Sequence, residues 1–209
     1  MNEFTVLKRL TNAEIIGIKS VFQVVSKTYE KGDIITDCLP NNDTIGIIIN
    51  GTAYLTTINS EGQNRIIDYY VSGNIFVSHL IPSSENRLIY IIAKTKCTVD
   101  FLQYRKVISS NEKHSDERSK FLDFLILQTA RKHMIHIDIL SQRSLRGKLI
   151  TFFEYLSNQN NSKTFTLPMP LTDFADYLAV DRSATTRELK KLNDEGIIKS
   201  DKRKIKLLE

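Results

Sequence analysis

The feature that most constrains this chain is a run of 34 residues without Gly or Pro, Asn111 to Ser144, "NEKHSDERSKFLDFLILQTARKHMIHIDILSQRS". Within it Phe121, Leu125, Gln128, Lys132, Ile135 and Ile139 recur at alternating spacings of 4 and 3 residues, and Leu122, Phe124 and Met134 widen the stripe. That period is helical, because residues so spaced fall on one face of an α-helix. A helix this long and this apolar needs partners along its length. It is expected to lay one side on the domain before it and another on a second copy of the chain, giving a homodimer.

Upstream the period changes. After a short helical opening around Asn12–Ser20, apolar runs rich in Ile, Val, Tyr and Thr alternate with turn residues: "TIGIII", "TAYLTTI", "RIIDYYV", "RLIYIIA" and "CTVDFLQY". Gly32, Gly51, Gly62 and Gly73 mark the turns. Short strands spaced in this way predict a closed roll or sandwich. Downstream, residues 141–209 are small and helical, and "IIKSDKRKIKLLE" reads as a β-hairpin around a charged turn. The expectation is an α+β chain of three parts: a β-roll over 1–111, a long dimerisation helix over 112–140, and a small helical domain with a C-terminal hairpin over 141–209.

Charge separates these parts. Residues 141–209 hold 13 Lys+Arg against 9 Asp+Glu, leaving 16 against 15 for residues 1–140. The positive excess sits at the C-terminal end, where a polyanion could be met. No segment approaches the ~20 apolar residues needed to cross a bilayer, and "MNEFTVLKRL" has no signal-peptide core. Cys38 and Cys97 make no disulfide framework, which suits a reducing cytoplasm.

In "LTDFADYLAVDRSATTRELKKLNDEGII", Asp181 is placed to cap a helix by accepting from its free first-turn amides. At 100° per residue, Thr185, Leu189 and Leu192 share the face expected to be buried. Ser183, Thr186, Arg187 and Lys190 share the other, with Arg182 at the border. The preceding amphipathic segment offers Phe174, Ala175 and Leu178 to the buried face. Two short helices joined by Ala179–Val180–Asp181 predict a helix-turn-helix, whose second helix enters the major groove of double-stranded DNA. Arginine suits that place because its guanidinium donates two parallel hydrogen bonds to guanine. The hairpin with Lys199, Lys202, Arg203, Lys204 and Lys206 predicts a basic wing beside it.

These segments resemble, over essentially the whole chain, the cyclic-AMP receptor/fumarate–nitrate regulator (CRP/FNR) family of bacterial transcription factors. "YEKGDII", "IINGTAYL", "NSEGQNRII" and "VSGNIF" are similar to the turns of the family's cyclic-nucleotide-binding-like β-roll, or jelly roll. "LSQRSLRGKLITFF" is similar to the start of its winged helix-turn-helix domain. The resemblance implies that Arg182 and Arg187 read bases, with Ser183 standing where many members have a cytosine-reading Glu. Ala179 stands where members usually have Gly; if it takes a positive φ, alanine costs ~1–2 kcal/mol. RNA polymerase and a small-molecule effector are further candidate partners.

The effector is the less legible half. Cyclic-AMP binders of the family carry Gly-Glu followed by Arg-Ser/Thr-Ala, whereas here Val77 and Ser78 occupy the Gly-Glu place. Arg87 is carried as a candidate for the phosphate arginine, but Leu88 and Ile89 follow it. No cofactor is expected. Two cysteines cannot supply an iron–sulfur cluster; Cys97 reads as core, and Cys38, in "TDCLPNND", as a surface thiol. His133 and His136 share a helix side but lack further metal ligands. An enzyme is not expected either: the strand region has a single histidine, His79, and no P-loop, dinucleotide glycine motif or triad spacing is present.

Overall fold

The computed structural model describes residues 11–38, 42–58, 64–78, 81, 88–109 and 115–208. Contacts divide the chain into two compact units whose boundary falls inside the long helix, between Leu127 and Gln128.

The first unit opens with α1 (Asn12–Val21). Thr11 starts it with a reciprocal capping box: the Glu14 amide donates to Thr11 Oγ1 (3.2 Å) and the Thr11 amide donates to Glu14 Oε2 (2.8 Å). Eight antiparallel strands follow: β1 (Val25–Tyr29), β2 (Ile34–Asp37), β3 (Thr44–Asn50), β4 (Thr52–Ile58), β5 (Asn64–Val71), β6 (Ile75–Val77), β7 (Leu88–Ala93) and β8 (Cys97–Gln103). They form two four-stranded sheets ordered β1-β8-β3-β6 and β2-β7-β4-β5. This is the jelly roll expected from the short, turn-bounded runs.

Strand alternation gives the first sheet two different faces. Ile45, Ile47, Ile75, Val77 and Leu102 face one side, covered by Ile15 and Ile18 of α1, Val107 of α2 (Tyr104–Ile108), and Phe121 and Leu125 of α3 (Ser115–Ser141). Ile48, Phe76, Cys97 and Val99 face the second sheet and meet Ala53, Leu55, Tyr70, Ile91 and Ala93. Asp100 is buried on the α1 side, where its carboxylate meets Lys19 Nζ at 2.7 Å and accepts from the Ser26 hydroxyl. The pairing ties α1 to the sheet and keeps a buried charge compensated.

Cys38 departs from expectation: it is 1% exposed and belongs to the inter-sheet core. Burial, with a contribution from Asp37, pushes its thiol up to about 12. The turn-like segment around it concealed this; its amide donates to the Ile89 carbonyl (3.0 Å), continuing the β2–β7 pairing by one residue. The Cys97 thiol is also buried and raised by burial, and it donates to the Thr52 carbonyl (3.2 Å).

Helix α3 carries two stripes. Phe121, Leu125, Gln128 and Ile139, four of the six residues of the expected stripe, are buried. Ile126, Leu127, Met134, Ile137 and Leu140 are 44–61% exposed.

The second unit adds α4 (Leu145–Asn160), β9 (Thr164–Thr166), α5 (Leu171–Tyr177), α6 (Arg182–Asp194), β10 (Ile198–Asp201) and β11 (Lys204–Leu207). Ser144 caps α4 by accepting from the Gly147 amide (3.0 Å), and Asn161 ends it in the left-handed region at φ 47°. Phe152 and Phe153 of α4 form the core with Phe174 (ring centroids 4.8 and 6.2 Å away) and Phe165 of β9. The expected hairpin is β10–β11, extended by β9 into a three-stranded sheet ordered β10-β11-β9.

Gly51 shows how tightly one roll turn is drawn. Its φ is 93°, and a Cβ there would collide with the Lys96 carbonyl and with Cys97. Gly51→Ala is expected to lower stability by about 2–5 kcal/mol, combining left-handed strain with overpacking. Urea unfolding should show a lower midpoint at unchanged m-value.

Candidate nucleic-acid interface

The interface begins at Asp181. Its Oδ1 accepts from the Ala184 amide (2.7 Å) and from the Ser183 hydroxyl, which anchors the first turn of α6. These bonds, Ser183 first, and the nearby Arg187 charge hold the carboxyl below its usual range. A lowered folded pKa means the cap contributes above the ordinary carboxylate range and is lost as pH falls below it. At neutral pH the cap is fully charged.

Behind that cap the helix sorts its faces as the projection requires. Thr185, Leu189 and Leu192 are buried, as are Phe174, Ala175 and Leu178 of the α5 segment. Thr185 Oγ1 donates to the Asp181 carbonyl (2.9 Å), satisfying a hydroxyl in an apolar setting. Arg182, Ser183, Thr186, Arg187 and Lys190 are all exposed. The helix thus gathers these five predicted residues on one solvent-facing surface. Arg187 and Lys190 make no hydrogen bond or ion pair among the described residues, whereas Thr186 Oγ1 donates to the Arg182 carbonyl (3.1 Å).

Sequence reading missed one partner in this cluster. Arg182 Nη2 donates to Asp176 Oδ2 at 3.2 Å, joining the recognition helix to α5 across the turn. The two residues are six apart on different helices, so no helical spacing announces them. Two carboxylates, one on α6 and one at its C-cap, are also compensated. Glu195 is paired with Arg146, which pulls its carboxyl below the usual range, and Glu188 lies 3.8 Å from both Arg146 and Lys191.

The wing is fastened at two places. Asn193, near the end of α6, accepts from the Ser200 amide (2.8 Å) and donates to the Ser200 hydroxyl. Arg203 donates through Nε and Nη2 to the Leu167 carbonyl (3.0 and 2.7 Å), while the Leu167 amide donates to the Arg203 carbonyl (2.8 Å). Of the two predicted wing contacts, Arg203 is therefore engaged as an anchor. Lys202 sits at the exposed hairpin tip with φ 52°, and Lys199, Lys204 and Lys206 are exposed beside it.

Elsewhere, Arg87 and His79 lie outside the described residues. Ser78 is fully buried, its hydroxyl donating to the carbonyls of Asn42 (2.8 Å) and Thr44 (3.0 Å). No group of three or more metal-ligating side chains occurs among the described residues. The His136 ring lies against Tyr177, with centroids 5.6 Å apart. No described helix is long and apolar enough to cross a membrane.

A capped helix presenting arginine and lysine, its partner helix, and a three-stranded basic wing define the class: a winged helix-turn-helix DNA-binding transcription regulator. Residues 147–209 match the Crp-like helix-turn-helix domain. The nitrogen fixation regulation protein FixK of Rhizobium meliloti (strain 1021) is 21% identical over 171 residues, covering 81% of this chain and 72% of FixK. The structure of FixK2 from Bradyrhizobium japonicum superposes with a TM-score of 0.68 at 17% identity, covering 89% of this chain and 93% of that one. A CRP/FNR-family transcriptional regulator from Thermus thermophilus does so with a TM-score of 0.58 at 18% identity, covering 88% and 94%. The chain is thus similar over most of its length to regulators of the CRP/FNR type, and its order of roll, long helix and winged helix-turn-helix matches their fold.

Between α5 and α6, Ala179 takes φ 53° so that its amide reaches the Asp176 carbonyl (3.1 Å) and the Val180 amide reaches that of Ala175 (3.0 Å). The turn keeps the conformation that glycine serves best, despite its alanine. Ala179→Gly should relieve that strain and raise thermal stability by about 1 kcal/mol, read by calorimetry. A lower melting temperature would contradict the strain assigned to this turn.

Proposed function

We propose that the protein works as a homodimer in the cytoplasm and binds a pseudo-palindromic DNA site, placing one α6 in each of two successive major grooves. Residues 1–111 serve as sensor, 112–140 as dimerisation helix and 141–209 as DNA-binding domain. The observation that carries this reading is the exposed face of α6, with Arg182, Ser183, Thr186, Arg187 and Lys190 together beside the capped N-terminus. Arg182 and Arg187 read guanine edges, Ser183 and Thr186 contact bases or phosphates, and Lys190 and Lys202 meet backbone phosphate. Arg203 contributes by holding the wing in place as well as through its charge.

Dimerisation is supported by the second stripe of α3. Ile126, Leu127, Met134, Ile137 and Leu140, with Ala130 between them, follow a 3–4 spacing and leave apolar surface in water. A matching helix from a second copy would cover it. The signal that acts on the roll is not cyclic AMP: the position that would read the ribose is Ser78, whose hydroxyl is spent on two backbone carbonyls. RNA polymerase is the further partner through which such a dimer would affect transcription.

Arg187→Ala is expected to weaken binding to the selected operator by about 1–3 kcal/mol with an unchanged melting temperature. Wild-type affinity for duplex DNA should fall steeply with salt, as phosphate contacts require. Unchanged operator binding in the variant would remove Arg187 from the interface. Met134→Asp combined with Ile137→Asp should shift the protein from dimer to monomer in sedimentation equilibrium and abolish cooperative occupation of both half-sites.

A further inference from the structure

The two arginines at the front of α6 are held in different ways. Arg187 makes no hydrogen bond or ion pair among the described residues, whereas Arg182 donates through Nη2 to Asp176 Oδ2 at 3.2 Å. The turn between the helices sets this pairing. Asp176 stands between Ala175 and Tyr177, both buried, so the packing of α5 fixes its backbone. Its carbonyl accepts from the Ala179 amide (3.1 Å) where the chain takes its left-handed step. Asp181 then caps α6, and Arg182 is the first residue of that helix. A carboxylate in the last turn of one helix is thereby brought to a guanidinium at the first position of the next.

As a stabilising contact the pair has little to offer. The Arg182 and Asp176 side chains are 61% and 38% exposed, and ion pairs at such exposure add little to folding. A carboxylate beside a surface that meets phosphate also carries an electrostatic cost for DNA binding. The free amides at the front of the helix need no second carboxylate, because Asp181 already accepts there. What the pair does supply is direction. A guanidinium carries five N–H donors in one plane. With one donor on Asp176 the plane is oriented, and enough donors remain for the two acceptors of guanine, O6 and N7.

We propose that Asp176 is a positioning residue for base recognition: its carboxylate holds the Arg182 guanidinium in the reading orientation, so that the base opposite Arg182 is discriminated more sharply than a free arginine would allow. The proposal rests on the reading that α6 enters the major groove with both arginines toward bases. Arg187 must be ordered when DNA binds, and the lost side-chain freedom offsets part of its contact. Arg182 is ordered beforehand by a residue that itself needs no contact with a base.

The test uses the full-length protein and an operator recovered from random duplexes by selection in vitro. Arg182→Ala and Arg187→Ala identify, by the base preference each erases, the position that each arginine reads. Asp176→Asn and Asp176→Ala are expected to weaken the preference at the Arg182 position by about two- to tenfold, the range for ordering one long side chain, and to leave the Arg187 position as in the wild type. Combined with Arg182→Ala, Asp176→Asn should change base preference no further. Asp194→Asn removes the same charge at the other end of α6 and should alter neither position. All variants should melt with the wild type. A purely electrostatic role for Asp176 would raise affinity for every duplex alike and leave the preferences unmoved; that result would overturn the proposal, as would an equal loss at both positions. If Arg182→Ala erases no preference, the groove reading of Arg182 fails and the positioning role falls with it. If it erases one that Asp176→Asn leaves intact, the positioning role alone fails.

Discussion

The exposed basic face of α6 depends on the burial of one narrow stripe. Thr185, Leu189 and Leu192 are buried, as are Phe174, Ala175 and Leu178 of the preceding segment, and Phe174 packs on Phe152 and Phe153 of α4. Because α6 is short and amphipathic, fixing that stripe fixes its rotation about its own axis. The opposite face, with Arg187 and Lys190, is then held toward solvent by geometry and needs no contact of its own. Asp181 completes the constraint by ending the turn and starting the helix at one residue. The basic front end is exposed because the back of the helix is buried.

The roll solves a different problem with the same economy. Its first sheet serves two cores at once: odd positions of β3 face the helices and even positions face the second sheet. Helix α3 begins on the helical side of that sheet and continues into the second unit with a further apolar stripe in water. One continuous helix therefore carries both the intrachain contacts and the surface proposed for the partner. Tyr29, Tyr70, Phe76 and Phe101 form a row of rings in the roll, and a cavity lies beside β1.

Much of this was legible in the chain. The strands, the long helix, the helix pair and the hairpin follow from periods of 2 and 3.6 and from turn residues, which are local patterns. The assignment of Thr185, Leu189 and Leu192 to the buried side needed only helical projection. Three features escaped. Cys38 is buried although it stands at the start of a turn-like segment, because its amide bonds the Ile89 carbonyl of the neighbouring strand. Strand β9, Thr-Phe-Thr, is only three residues long, too short for its alternation to announce a strand; it pairs with β11. The anchoring bonds of Arg203 are the clearest case, since nothing local in a basic hairpin shows that its guanidinium lies beside the Leu167 carbonyl.

The sequence by itself determined which elements form, which face of each is apolar, where α6 is capped and where positive charge collects. Each of these is encoded within a few residues, by spacing or by the chemistry of a single side chain. Only the tertiary structure decided that Arg182 is paired with Asp176, that the wing is clamped by Asn193 and Arg203, and that Ala179 takes a left-handed conformation. These depend on segments brought together by folding, and a one-dimensional pattern carries no record of which carbonyl or carboxylate will lie opposite a given guanidinium.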